Sequence, residues 1–116
     1  METNQRFTFY RGYAQDVRFT LTGSEGLALA PTSLQWELIA WNPTTRTPGI
    51  THATKTLAEG GIVLSDAGIY DVHLLEADTE DLTPATYYHE LKGVIGGKGY
   101  ILANGFATLL DAGIPD

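Results

Sequence analysis

The sequence predicts an all-β fold: a two-layer antiparallel β-sandwich of immunoglobulin-like type, with seven to eight short strands and one helical turn near residues 77–82. Three observations predict it. Apolar residues recur at every second position in short runs, the period of a half-buried strand. Turn residues, glycine above all, break those runs every 8–12 positions. The chain has no cysteine, so packing and sheet hydrogen bonds must hold it without disulfides or thiolate metal sites. Its 116 residues are the size of one domain, and 1–116 reads as a single sandwich.

Phe7 and Phe9 alternate with Thr8 and Tyr10 in the opening strand, which ends at Arg11-Gly12. Val17, Phe19 and Leu21 then face away from Asp16, Arg18 and Thr20, before a turn at Gly23-Ser24-Glu25-Gly26. Leu34, Trp36, Leu38 and Ala40 make a third stripe; Ile39 and Trp41 on its reverse side predict partial burial on both faces. Asn42 to Thr56 reads as a long polar loop, with six threonines, two prolines, one glycine and no acid. Strands resume at Gly61 to Leu64 and at Ile69 to Leu75, where Tyr70, Val72 and Leu74 share a face. Glu76 to Leu82 is the helix-like stretch, with Asp78 as the expected N-cap ahead of Pro84. Tyr87, His89 and Leu91 follow on one face, then a hairpin turn at Gly96-Gly97-Lys98-Gly99. Tyr100, Leu102 and Phe106 complete the last strand, with a bulge expected at Gly105. The predicted core is Phe19, Trp36, Leu38, Val72, Leu74, Tyr87, Leu91 and Phe106.

Net charge is −7 and unevenly spread: residues 1–58 hold five Lys/Arg against four Asp/Glu, residues 59–116 two against ten. An acidic surface repels phosphate backbones and anionic lipid, so neither nucleic acid nor membrane is an expected partner. No apolar run is long enough to span a bilayer, and Met1 to Arg6 lacks the apolar core of a secretory signal. His52, His73 and His89 have no metal-ligand spacing, and His89, between Tyr87 and Leu91, is expected as a hydrogen-bonded core histidine. Glu76, Asp78 and Glu80 begin like a calcium loop, but Asp81 and Tyr87 stand where glycine and glutamate are needed. The glycines around Lys98 lack the Walker spacing. No serine sits in a nucleophile elbow. The expectation is no enzyme activity, no metal and no cofactor.

Contact residues are sought instead. Arg46, His52 and Lys55 make Asn42 to Thr56 the cationic stretch of an acidic chain. Trp41, Tyr10, Tyr13 and Tyr88 stand off the apolar stripes, on reverse faces or in loops. Leu110 and Ile114 extend apolar character past the last stripe, and residues 111–116 are expected to touch another protein.

Several stretches carry a resemblance: Phe7 to Gly12, Val17 to Thr22, Leu34-Gln35-Trp36-Glu37-Leu38, Gly60 to Leu64, Ile69 to Leu74, and Leu102 to Ala107. The most telling is Ala77-Asp78-Thr79 with Leu82, Pro84, Thr86-Tyr87-Tyr88 and Glu90-Leu91. Together they resemble the small β-sandwich domains of tailed-bacteriophage accessory virion proteins, of the long-tail-fibre connector and upper-baseplate N-terminal type. The chain departs from that pattern at Tyr13, where an acid is usual after Arg-Gly. The resemblance implies a non-enzymatic virion component, assembled in the cytoplasm of a bacterial host. Its implied role is a protein–protein adaptor in the tail, contacting other virion proteins and copies of itself. A capsid decoration protein and a carbohydrate-binding adhesion module are the alternatives.

Overall fold

A computed structural model describes residues 6–23 and 25–111. In chain order it contains β1 (Phe7–Tyr10), β2 (Gln15–Thr20), β3 (Ser33–Asn42), β4 (Thr47–Thr56) and β5 (Ile62–Asp66). Then come β6 (Ile69–Leu74), α1 (Glu76–Thr79), β7 (Ala85–Ile95) and β8 (Lys98–Leu110). Five strands form one sheet in the order β1-β8-β7-β3-β4, and three form a second in the order β2-β6-β5.

Every pairing is antiparallel except one: β1 runs parallel to β8, with Phe7 beside Ala107 and Tyr10 beside Leu110. The expected all-antiparallel pattern fails there because β2 belongs to the other sheet. Without its sequence neighbour as a hairpin partner, β1 lies along the open side of β8. The strands are also not uniformly short. β3, β4, β7 and β8 run 10 to 13 residues, while those of the small sheet run five or six.

The core lies between the sheets, where alternation points Phe19, Trp36, Leu38, Val72, Leu74 and Leu91 inward, all at 0–1 % exposure. At its centre the Trp36 indole N–H donates to Nδ1 of the fully buried His89 at 3.2 Å. The Phe7 and Phe19 rings close on that imidazole with centroids at 4.8 and 5.9 Å. His89 is therefore the hydrogen-bonded core histidine its neighbours predict. Two further polar bonds hold the ends. The Tyr87 hydroxyl donates to the Thr83 carbonyl at 2.6 Å, and the Gly12 N–H donates to the buried Thr79 hydroxyl at 2.9 Å. In α1 the N-cap is Leu75 and not Asp78. Asp78 occupies the third helical position and accepts from the Leu75 N–H at 2.6 Å, so it closes the turn from inside.

Asn42 to Thr56 is not a loop. Asn42 to Arg46 form a tight turn in which the Asn42 side-chain carbonyl accepts from the Thr44 and Thr45 N–H groups at 3.0 and 3.2 Å. Thr47 to Thr56 then run as β4 along β3. Threonine is β-branched and suits a strand whose two faces are both wet, which hydropathy alone reads as loop. Residues 47–52 are all exposed, and Ala53 is buried.

The bulge is at Leu102, not Gly105. Leu91 pairs with Ala103 while Lys92 pairs with Ile101, leaving Leu102 without an opposite residue; Gly105 pairs in unbroken register with His89. Leu102 and Ala103 consequently both turn inward, at 0 % exposure. Parity reverses from that point, and Phe106, expected in the core, lies on the outer face, half-buried. Gly93 makes room for the bulged side chain. A Cβ there would lie 2.7 Å from Leu102 Cδ1 and 2.9 Å from Leu34 Cδ2. At the hairpin tip Gly96 and Gly97 hold φ of 60° and 79°, the two left-handed positions of a type I′ turn.

Trp36→Ala removes the largest fully buried side chain and its bond to His89; unfolding stability should fall by about 3–5 kcal/mol, read from the urea midpoint. A barely shifted midpoint would mean the inner stripe is misassigned. Gly93→Ala should destabilise by about 1–3 kcal/mol through overpacking. Pairing it with Leu102→Ala, which clears the nearest clash, should make the added alanine cost less than it does alone.

Candidate functional site

Because the small sheet covers only one face of the large one, the other face is left outward. Cross-strand register arranges its side chains in rows. One row runs Thr51, Ile39, Tyr88 and Phe106 across β4, β3, β7 and β8, and Arg6 ends it with its guanidinium 5.9 Å from the Phe106 ring centroid. The next holds Pro48 and Trp41, then Thr86, Thr108 and Thr8. Leu110 beside Tyr10 closes the face.

The centre of this surface is aromatic. Trp41 meets Phe106 edge-on with centroids 5.0 Å apart and Tyr88 at 5.8 Å, and Tyr88 meets Phe106 at 6.2 Å. Interplanar angles of 75°, 36° and 67° mean that the three rings pack on one another and do not form a shared plane. The Asn104 amide donates to the Tyr88 hydroxyl at 3.1 Å, and burial raises the Tyr88 phenol above its ordinary value. At neutral pH that hydroxyl is protonated and can both donate and accept.

The same face changes character toward its other end. Glu37 and Glu90 oppose one another across β3 and β7, and the Lys92 ammonium reaches Glu37 at 2.8 Å. The hydrogen bond from Lys92 holds the Glu37 carboxyl below the usual range, against partial burial, which raises it; the same bond raises Lys92. A shallow open depression here is lined by Gln35, Thr56, Lys92, Val94 and Ile101. Its charged lining residues are Lys92 and Glu59.

The sequence-predicted contact residues divide. Trp41 stands in the aromatic centre, and Leu110, 42 % exposed, lies at its margin. Arg46 is exposed at the tip of the β3–β4 hairpin with φ of 57°, an unusual conformation for a side chain other than glycine. His52 is the extra residue of a bulge in β4, exposed, with its ring edge-on to Tyr87 at 5.6 Å. Lys55 turns away from solvent and pairs with Asp78 at 2.7 Å, tying β4 to α1. Ile114 lies outside the described residues; of residues 111–116 only Asp111 is described, bonded to Arg11 at 3.0 Å. Arg6 and Phe106 were missed as surface residues. The signal for Phe106 was the uninterrupted run Tyr100-Ile101-Leu102-Ala103, which strict alternation cannot fit without a bulge.

On the small sheet's outer face, Arg18 grips Asp71 through two bonds of 2.8 and 3.0 Å, and His73 pairs with Asp16. The bond from Arg18 lowers the Asp71 carboxyl. Both are cross-strand pairs in register. Among the described residues no group of three or more His, Asp or Glu could hold a metal ion, and no helix is long and apolar enough to cross a membrane. No protein-family model matches the chain, and no curated protein matches it.

The Glu37–Lys92 pair sets a pH dependence. A carboxyl held low in the fold contributes stability above its unfolded value and loses that contribution as pH falls through the folded one. Lys92→Met should therefore lower stability at neutral pH by a few tenths to about 1 kcal/mol. The difference from wild type should close in acid, where both proteins carry a protonated Glu37. Urea titrations at stepped pH read this; a difference that persists undiminished in acid would rule the pair out as its origin.

Proposed function

We propose that this chain is a non-enzymatic structural component of a tailed-phage virion, a protein–protein adaptor in the tail. The observation that carries the reading is the outward Trp41–Tyr88–Phe106 cluster with its threonine rows. A soluble sandwich has no folding reason to place such residues there, and they have the composition of an interface centre. The cysteine-free composition suits assembly in a bacterial cytoplasm.

We also propose that the sandwich is of the immunoglobulin type. β8-β7-β3 with an added β4, against β2-β6-β5, is the strand order of a variable-type domain. Trp36 on the third strand and the Tyr87 hydroxyl bound to the carbonyl four residues upstream are two further marks of that fold. His89, two residues after Tyr87, and Phe19 on β2 pack where such domains place a disulfide.

Antibody labelling of purified tailed particles that encode the chain, viewed by electron microscopy, tests the adaptor reading. Label on the tail is the expected result. Label over the capsid would move the protein to the decoration class, and particles free of the chain would overturn the virion reading altogether.

A further inference from the structure

From the chemistry of the outward face of the large sheet, we infer that it docks a second copy of this chain, face to face across a two-fold axis. The inference names the partner of the surface on which the adaptor reading rests.

Two properties select a second copy over other occupants, and a third sets how strongly it is held. The first is charge. A chain of net −7 resists meeting itself, and it can do so only where carboxylates are absent. The rows through Tyr88 and Thr108 carry none: Arg6, Thr8, Ile39, Trp41, Pro48, Thr51, Thr86 and Phe106 complete them. A basic partner would gain nothing from this face and would be drawn to the acidic surfaces instead. The acids of the same face, Glu37 and Glu90, stand in the adjoining row and border the contact, where Lys92 pairs with Glu37, the Thr51 hydroxyl donates to Glu37 at 3.4 Å and the Tyr88 hydroxyl donates to Glu90.

The second is hydrogen-bond polarity. The polar groups of these rows, apart from Arg6 at one end, are hydroxyls: those of Thr8, Thr86 and Thr108, with that of Thr51 turned to Glu37 and that of Tyr88 held by Asn104. A hydroxyl donates and accepts, so a surface of hydroxyls is complementary to its own image. A face of donors only, or acceptors only, is not. Isologous contacts require this self-complementarity.

The third is area. Five strands at about 4.8 Å spacing and two full rows about 6.7 Å apart, widened at one end by Tyr10 and Leu110, give a patch of roughly 24 by 15 Å, or roughly 350 Å² in projection. That falls short of the roughly 800 Å² per partner of a standard stable complex. The dimer is accordingly weak and reversible, the kind of contact that counts when many copies are held close together.

The chain is free of cysteine, so a single introduced thiol reports proximity directly. Thr8→Cys, Thr86→Cys and Thr108→Cys, each oxidised under mild conditions, should include at least one that forms a disulfide-linked dimer. Thr20→Cys, exposed on the small sheet, should not. By sedimentation equilibrium, wild type should show a mass rising with concentration, and Thr108→Asp should weaken that association at least tenfold. Thr20→Asp, the same charge change on the opposite sheet, should leave it unchanged. Trp41→Ala gives a second, charge-neutral loss, and thermal midpoints confirm that each variant is folded.

A wild type that stays monomeric throughout, or equal effects of Thr20→Asp and Thr108→Asp, overturns the inference. If wild type is monomeric yet Thr108→Asp blocks incorporation into particles, the face binds a different virion protein; the inference fails and the adaptor reading stands. If wild type dimerises through this face but the chain is absent from particles, the inference holds and the virion reading fails.

Discussion

Strand parity governs this molecule, and it changes at Leu102. A strand offers alternate residues to opposite faces, so one extra residue exchanges everything beyond it. With Leu102 and Ala103 both turned inward, Gly105, Ala107 and Leu109 continue the core side of β8, and Asn104, Phe106 and Thr108 take the outward side. In strict alternation Phe106 would lie in the core, and Trp41 and Tyr88 would lack their third ring. The bulge is in turn possible because residue 93 has no side chain, leaving its place to Leu102. A glycine on β7 thus decides the surface chemistry of β8, more than three strand residues away.

The core meets a second constraint, the absence of any covalent tie between the sheets. Trp36, His89, Phe7 and Phe19 occupy the middle of the sandwich and bring rings from β1, β2, β3 and β7 into one contact group. A buried imidazole is tolerated only when its nitrogens are satisfied. The indole N–H supplies one partner, and that bond fixes Nδ1 as the acceptor. The pair costs less than a lone polar group would, and it orients both rings, which pure aliphatic packing does not do.

Much of this was legible in the sequence. The stripes Val17-Phe19-Leu21, Leu34-Trp36-Leu38, Tyr70-Val72-Leu74 and Tyr87-His89-Leu91 all lie inward, because each strand turns one face to the opposing sheet and its alternation is unbroken there. The Gly96-Gly97 turn was legible because two left-handed residues in a row require glycine. Two elements were not. β4 sets four threonines among Pro48, Gly49, His52 and Lys55 and leaves its one large apolar residue, Ile50, exposed, so it carries no alternating hydropathy signal, and only its hairpin with β3 reveals it. In β8 every residue from Tyr100 to Ala103 is apolar, which signals a break in alternation but does not mark which residue is the extra one. The candidate surface depends on that slip, so alternation alone places Trp41 and Tyr88 outward without the ring that joins them.

The edges of the large sheet argue that association, where it occurs, uses the face. An open edge strand pairs with any extended chain unless something prevents it. β4 is an edge of ten residues, long enough to be hazardous, and it carries several of the features that block such pairing. Pro48 removes a backbone donor, the bulge at His52 breaks the regular spacing of the ladder, and the register slips a second time between Ile39 and Trp41. The opposite edge, β1, is four residues long, too short to serve as a template. With both edges blunted, backbone pairing contributes little to any contact with the large sheet. Side chains must then carry it, and the broad outward face of that sheet gathers the half-buried rings of Trp41, Tyr88 and Phe106 beside its threonines, with Glu37 and Glu90 set together in one row toward the other end.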